Sequence, residues 1–341
     1  MIEAFTTTRA HLGQAADYAS FVRFFQDGIS QRGGDAAAVA HDFLFAQLPQ
    51  PPRGGMLARL FSGLVHPLLQ LLYGLEWAQP AIVAAALAQA AVHPSEVGDC
   101  MVDVDEYARD NQQLEAASVL DLCRHLHTRG GPLAQLTNWH DMGVNYIGKM
   151  VRLGGQDLLA LLARIRVDPN SDLDEATAHL VHSAAYLVAA AAWHPPQKPT
   201  FDFFLMQVAS PSSTTLLLLL LIEYIARGCP ALRLDDALRD WSAPTSMAAP
   251  SPRHLLSRLL LTADDGHVVK TARALVVASD LSRKWHGRSW IRIAGDDAWV
   301  KVMQMLLSTV DRRDDQWLCD GKQWVRGAGF QEAWQAVPIM E

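Results

Sequence analysis

Two residue pairs in this chain have the types and the spacing that chemistry can use. His66 and Gln70 stand four apart in GLVHPLLQLLYGLEW (63–77), so on a helix both side chains lie on one face. Two histidines at that spacing would make a metal-ligand pair. Here the second position is an amide, whose oxygen is a weaker partner for a transition metal than imidazole. Tyr73, Gly74 and Glu76 follow on the next turn, and His66 with Glu76 could instead serve as acid and base. His267 and Lys270, three apart in DDGHVVKTARAL (264–275), also share a face. A buried, neutral lysine can take up CO₂ as a carbamate and so become a carboxylate ligand, because burial lowers its pKa. Each pair has a plainer reading as well. Residues 63–77 fit a core helix with one satisfied polar side chain, and 264–275 fit a surface helix capped by Asp264 or Asp265.

A third stretch, HPPQKPTFDFFLMQVASPSSTTL (194–216), sets Asp202 among Phe201, Phe203 and Phe204, with Gln207 just beyond. Aromatic rings with a few polar groups suit a flat organic ligand; they suit an ordinary core equally well. His125 and His127 fall on different helix faces, whereas His179 and His182 could pair, and Trp139-His140-Asp141 reads as a loop cluster. All of these are more often structural than ligating. No Gly-rich phosphate loop, GxSxG elbow, HExxH or GxGxxG pattern is present, so a Rossmann nucleotide site has no support.

The elements that must position these residues read as helices. Half of the 341 residues are hydrophobic, and Ala and Leu dominate. Helical spacing runs through Ala15–Ile29, and Asp35 can cap a second helix reaching about Leu48. Residues 56–74 read as one helix kinked by Pro67, and Pro80 opens another over 81–93. Further helices fit 112–128, 151–165, 174–193, 214–227, 254–263, 267–280, 297–310 and 330–336. Ser289–Ile293 has the best, though weak, strand character. The apolar run Thr214–Ala226 is interrupted by Glu223 and is shorter than the roughly 20 residues a bilayer requires, so it reads as a core helix. Two Pro-rich breaks occur, at 194–199 and 243–252; the second is either a domain boundary or a surface loop within one helical fold, and the loop is favoured. The expected architecture is all-α: a single multi-helix domain, 1–341, with helices packed around a central pocket.

The net charge of −7 argues against nucleic acid as the main partner. The N-terminus lacks the basic-then-apolar layout of a secretion signal. Cys100, Cys123, Cys229 and Cys319 are far apart without a CxxC pair, which fits free thiols in a reducing, cytoplasmic compartment.

Four segments in this order, 63–93, 198–210, 264–275 and GFQEAW (329–334), together resemble the questin-oxidase-like family, which includes fungal Baeyer–Villiger-type oxidases of aromatic polyketide pathways. The resemblance implies an oxidoreductase that opens anthraquinone-like rings, with Tyr73, Phe203, Phe204 and Gln207 around the substrate. Some family members are described as NADPH-dependent, and one related enzyme looks like a non-haem iron dioxygenase with histidine ligands and a carboxylated lysine. On that pattern Fe(II) would be held by His66, His267 and Lys270, the same three residues being catalytic. Gln70 and Gln207 stand where the family usually carries histidine, and the family's longer, His-containing N-terminal segment lies before the point where this chain starts. The resemblance thus also allows a non-catalytic relative that binds an aromatic intermediate or a partner protein.

Overall fold

The computed structural model describes residues 9–46, 53–141, 146–166, 170–208, 214–262, 266–310 and 323–340. Among them there is no β-sheet, only two isolated bridges, Gln197 to Ile339 and Asp202 to Val325; the fold is all-α, as its composition predicts. The chain forms two compact units, Met1–Gln113 and Leu114–Glu341. The 243–252 segment lies inside the second unit and is a loop. It is tied down by a hydrogen bond from Gln304 Nε2 to the Met247 carbonyl (3.0 Å) and by one from Arg258 to the Ser246 carbonyl.

The first unit is built around the helix Pro80–Val92, which packs against Tyr18–Gln31 and His66–Glu76. Its sequence, PAIVAAALAQAAV, buries Val83, Ala84, Ala86, Leu87, Ala88, Ala90 and Ala91. Small side chains on nearly every face let neighbouring helices come close, as a helix that is apolar all round must. Phe24, Phe25 and Phe43 form an edge-to-face cluster on one side, with Phe25 and Phe43 centroids 5.2 Å apart, and Phe21 stacks on Phe25. Asp35 caps Ala36–Leu44 through its side chain (2.9 Å to the Ala38 N–H), as expected.

The helix expected over 56–74 is two pieces. A short turn, Met56–Arg59, is followed by irregular backbone in which Gly63, Leu64 and Val65 all take left-handed conformations (φ 56°, 55° and 58°). His66–Glu76 then begins afresh, with Pro67 in its first turn. Proline is suited to that position because the N–H it lacks has no helical partner there. Pro67 therefore starts a helix instead of kinking one.

In the second unit Thr214–Ala226 is the central helix, with Leu216 to Ala226 all buried. Around it lie Val119–Arg129, Tyr146–Leu162, Leu173–Ala190 and Phe203–Val208. His267–Arg283 packs against Leu173–Ala190, Pro252–Leu260 and Gly295–Val310. No helix among the described residues is long and apolar enough to cross a membrane. Three expectations change here. The helix expected over 112–128 begins at Val119, where Ser118 caps it. The helix expected over 151–165 starts at Tyr146 and is broken at Gly155 (φ 48°). Residues 289–293 form no strand; the backbone N–H groups of Arg292 and Ile293 go instead to His182 Nε2. Asp264, Asp265 and Cys319 lie outside the described residues. Cys100, Cys123 and Cys229 are free and buried.

Candidate functional site

In the second unit the segments 198–208, 266–275 and 323–334, far apart in sequence, are packed together. Asp202 organises them. Its carboxylate is fully buried and accepts four backbone N–H groups. Oδ1 takes those of Phe204 (2.9 Å) and Leu205 (3.1 Å), capping the short helix Phe203–Val208. Oδ2 takes those of Gly327 (2.6 Å) and Ala328 (2.9 Å), fastening the C-terminal segment to the same point. Val325 adds to the clasp by donating to the Phe201 carbonyl (3.1 Å) and accepting from the Phe203 N–H (2.8 Å). Trp334 of GFQEAW is buried, stacked on His194 (centroids 4.7 Å) and donating from Nε1 to the Ala328 carbonyl. Gly329 lies against the backbone of Arg227 and Gly228 with no room for a Cβ.

The clasp presents Phe203 and Gln207, one turn apart, to the first turn of His267–Arg283. The Phe203 ring, half-buried, lies 4.7 Å from the His267 ring and has the Arg326 guanidinium 4.6 Å above its centroid. Gln207 is fully buried, and its Oε1 accepts a hydrogen bond from Lys270 Nζ. Thr271 Oγ1 donates to the His267 carbonyl (2.7 Å), and its hydroxyl also contacts Met206 Sδ (3.2 Å), which keeps the two helices in register. Of the residues singled out from sequence, Phe203, Gln207, His267 and Lys270 are thus brought together. Phe204 points the other way: it is buried, with the Arg227 guanidinium 4.1 Å over its ring. Behind that ring Arg227 Nε pairs with Glu223 Oε2 at 3.1 Å, both side chains out of water. Burial pushes the Glu223 carboxyl up against the opposing pull of Arg227.

His66, Gln70 and Tyr73 belong to the first unit. His66 is exposed; its Nδ1 donates to the Gly63 carbonyl (2.6 Å), a bond that makes Nε2 the acceptor nitrogen of the ring. Gln70 and Tyr73 are half-buried on the same helix. His66 and Glu76 are the first and last residues of that helix. Ten residues of rise put them roughly 15 Å apart, too far to act as an acid–base pair.

A family model described as questin oxidase-like matches residues 3–275, well over half of the chain. The chain belongs to the questin-oxidase-like family. It is 27% identical to the oxidoreductase AflY of Aspergillus parasiticus, over 98% of this chain and 74% of that protein. It is 27% identical to the questin oxidase of Aspergillus fumigatus (97% and 77%) and 26% identical to the Baeyer-Villiger oxidase AgnL3 of Paecilomyces divaricatus (97% and 75%).

Within this questin-oxidase-like chain the local structure also involves residues that the sequence did not single out. Arg326, which covers Phe203, follows a stretch without periodicity. The Glu223–Arg227 pair was visible as an i, i+4 couple in an otherwise apolar helix. Among the described residues no group of three or more His, Cys, Asp or Glu side chains could hold a metal ion.

Proposed function

We propose that this chain is an oxidoreductase of secondary metabolism that acts on an aromatic polyketide of anthraquinone type and opens a ring by adding oxygen beside a ring carbonyl. The relatives' names supply the reaction class: oxidoreductase, questin oxidase, Baeyer-Villiger oxidase. One observation supports a site for it in this chain. Phe203 and Gln207 meet His267 and Lys270 across two helices, giving an aromatic face beside an amine and an imidazole.

In this reading a planar substrate lies against the Phe203 ring. Lys270, oriented by Gln207, donates to the substrate's carbonyl oxygen, where negative charge grows as a peroxide oxygen, from O₂ and the two-electron donor, adds to the carbonyl carbon before the neighbouring ring carbon migrates to it. His267 takes the proton of an adjacent phenol, raising the electron density of the ring. Arg326 lies over the Phe203 ring and adds positive charge. Oxygen comes from O₂, and a two-electron donor such as NADPH reduces the atom that is not inserted. The second unit forms no parallel sheet among its described residues, so NADPH would bind without the strand–loop–helix cradle of dinucleotide folds.

The donor set in this unit does not fit a tightly held iron(II). Around Lys270 the described residues offer one imidazole, an amide oxygen and an amine already donating to that oxygen, where such sites use two imidazoles and a carboxylate. No step here runs through iron. Lys270 Nζ donates to Gln207 Oε1, so Lys270 is read here as the free amine. His66, oriented by Gly63, is a separate candidate to be tested on its own.

The test is an aerobic assay of purified protein with hydroxyanthraquinones, with and without NADPH and Fe(II), followed by chromatography. Ring-opened product from wild type, lost in Lys270→Met and His267→Ala variants that remain folded, is the expected result. No turnover under any condition sinks the reading. The alternative, a relative that binds an aromatic without converting it, is favoured by Gln207, which engages the Lys270 amine; it predicts saturable binding with no product.

A further inference from the structure

The second unit contains a cavity of about 300 Å³ that none of the residues placed around Lys270 in the proposed site lines. His267 and Ser282 sit at opposite ends of the helix His267–Arg283. Fifteen residues of rise separate them by roughly 22 Å along the axis. Ser282 marks the cavity's end of that helix, because its Oγ accepts from Nδ1 of His182, one turn along from the lining residue His179. The volume is at the lower end of the roughly 300–1,000 Å³ range of small-molecule pockets.

One wall of the cavity is a fixed aromatic surface. The Trp290 indole stacks on the His179 imidazole, centroids 4.9 Å apart and planes 26° from parallel. Trp290 Nε1 donates to Glu175 Oε1 (3.2 Å), and the same carboxylate is held by Arg288 (2.9 and 3.0 Å). The backbone that carries Trp290 is pinned by His182, whose Nε2 accepts from the Arg292 and Ile293 N–H groups. Ile165, Leu180 and Leu217 supply apolar surface, and Ser118 and Ser183 supply hydroxyls. Among the described residues neither ring nitrogen of His179 has a hydrogen-bond partner. Burial moves its pKa below the ordinary value against the pull of Glu175, so the neutral ring keeps one nitrogen able to accept.

We propose that this cavity binds a planar aromatic molecule bearing a hydroxyl group, its ring against the His179–Trp290 wall and its hydroxyl donating to His179. An indole edge fixed by a carboxylate is an orientation device, and a stacked wall favours flat rings. A polar ring nitrogen in a largely apolar pocket selects a donor over an alkyl group. The proposal does not depend on turnover at Lys270.

Two probes that share one ring system test it by titration calorimetry: 2-naphthol, and its methyl ether, which is one methyl larger and cannot donate. Wild type is expected to bind 2-naphthol saturably and about tenfold or more tighter than the ether, as a hydrogen bond of about 1.4 kcal/mol requires. Trp290→Ala weakens both probes by about tenfold or more, the loss of one aromatic contact. His179→Phe keeps the stack and closes the gap between naphthol and ether. Ala176→Trp, placed on the half-buried lining residue Ala176, fills the cavity and abolishes binding while leaving the wall intact. It carries the test if Trp290→Ala fails to fold by circular dichroism. Lys270→Met retains the binding component that Ala176→Trp removes, whatever the probe does at the Phe203 ring. Absent saturable binding, equal affinity of wild type for the two probes, or binding unchanged in Ala176→Trp would overturn the proposal. So would naphthol binding lost in Lys270→Met, which would put the probe at the Phe203 ring.

Discussion

Acidification between pH 6.5 and 4 should destabilise this protein through one histidine. His182 is fully buried, and its hydrogen bonds define its tautomer. Ser282 donates its own hydroxyl proton to the Ala278 carbonyl (2.6 Å), so its oxygen must accept from His182 Nδ1–H (2.8 Å). Nε2 in turn accepts two backbone N–H groups, at 2.8 and 3.2 Å. A second ring proton would face those two donors in a site walled by Trp290 and Trp299. Burial, then the neighbouring His179 and Arg292, pull the pKa from 6.5 down to about 4. The unfolded chain takes up this proton as pH falls through 6.5, and the folded chain does so only near 4. Stability is therefore fully present above 6.5 and is lost as pH falls through that window. At about 1.4 kcal/mol per pH unit the loss is about 3 kcal/mol. Urea unfolding at pH 7, 6, 5 and 4, on wild type and on His182→Gln, measures it. Carboxylates titrate in both proteins, so the difference between the two pH profiles isolates the imidazole. Parallel profiles would refute the reasoning.

Three substitutions test the framework of the site. Asp202→Asn removes the charge and one acceptor oxygen from a group holding four backbone N–H bonds; a loss of about 3 kcal/mol is expected in urea unfolding, with protease cleavage appearing in 323–340 before the rest of the chain. Arg227→Met leaves Glu223 buried without its partner and should cost about 4 kcal/mol, while the double change with Glu223→Gln recovers part of it; equal stability of the single and double variants would contradict a coupled pair. In the first unit a Cβ at Gly98 would run into the backbone of Ala58. Gly98→Ala should therefore lower stability by about 2–3 kcal/mol or more, although alanine is the better helix former; thermal unfolding reads the sign.

The all-α class, the caps at Asp35 and the buried Thr214–Ala226 helix follow from composition and local pattern, and all are legible in the sequence. The contact of Gln207 with Lys270, 63 positions apart, is not read from composition or local pattern. What the sequence hides is non-local. Asp202 looks like one polar group among phenylalanines because two of its four donors come from Gly327 and Ala328, some 125 residues away. The break before His66 is invisible because its left-handed residues are Leu64 and Val65 as well as Gly63, and leucine and valine give no turn signal. Residues 289–293 have strand-like side chains, but the N–H groups of Arg292 and Ile293 are claimed by His182 across the unit, and among the described residues no neighbouring strand competes for them. His182 reads correctly as a structural histidine; the service it performs is set by a partner 110 positions along.

The central claim, an oxygen-inserting oxidoreductase that uses the Lys270 side of the second unit, is tested most directly by isotope. Purified protein is incubated with a hydroxyanthraquinone and NADPH, with and without Fe(II), under ¹⁸O₂, and the product mass is read. The account predicts one labelled oxygen atom in a ring-opened product from wild type, and none from folded Lys270→Met. Ring opening without label, or labelled product at the wild-type rate from Lys270→Met, would contradict it.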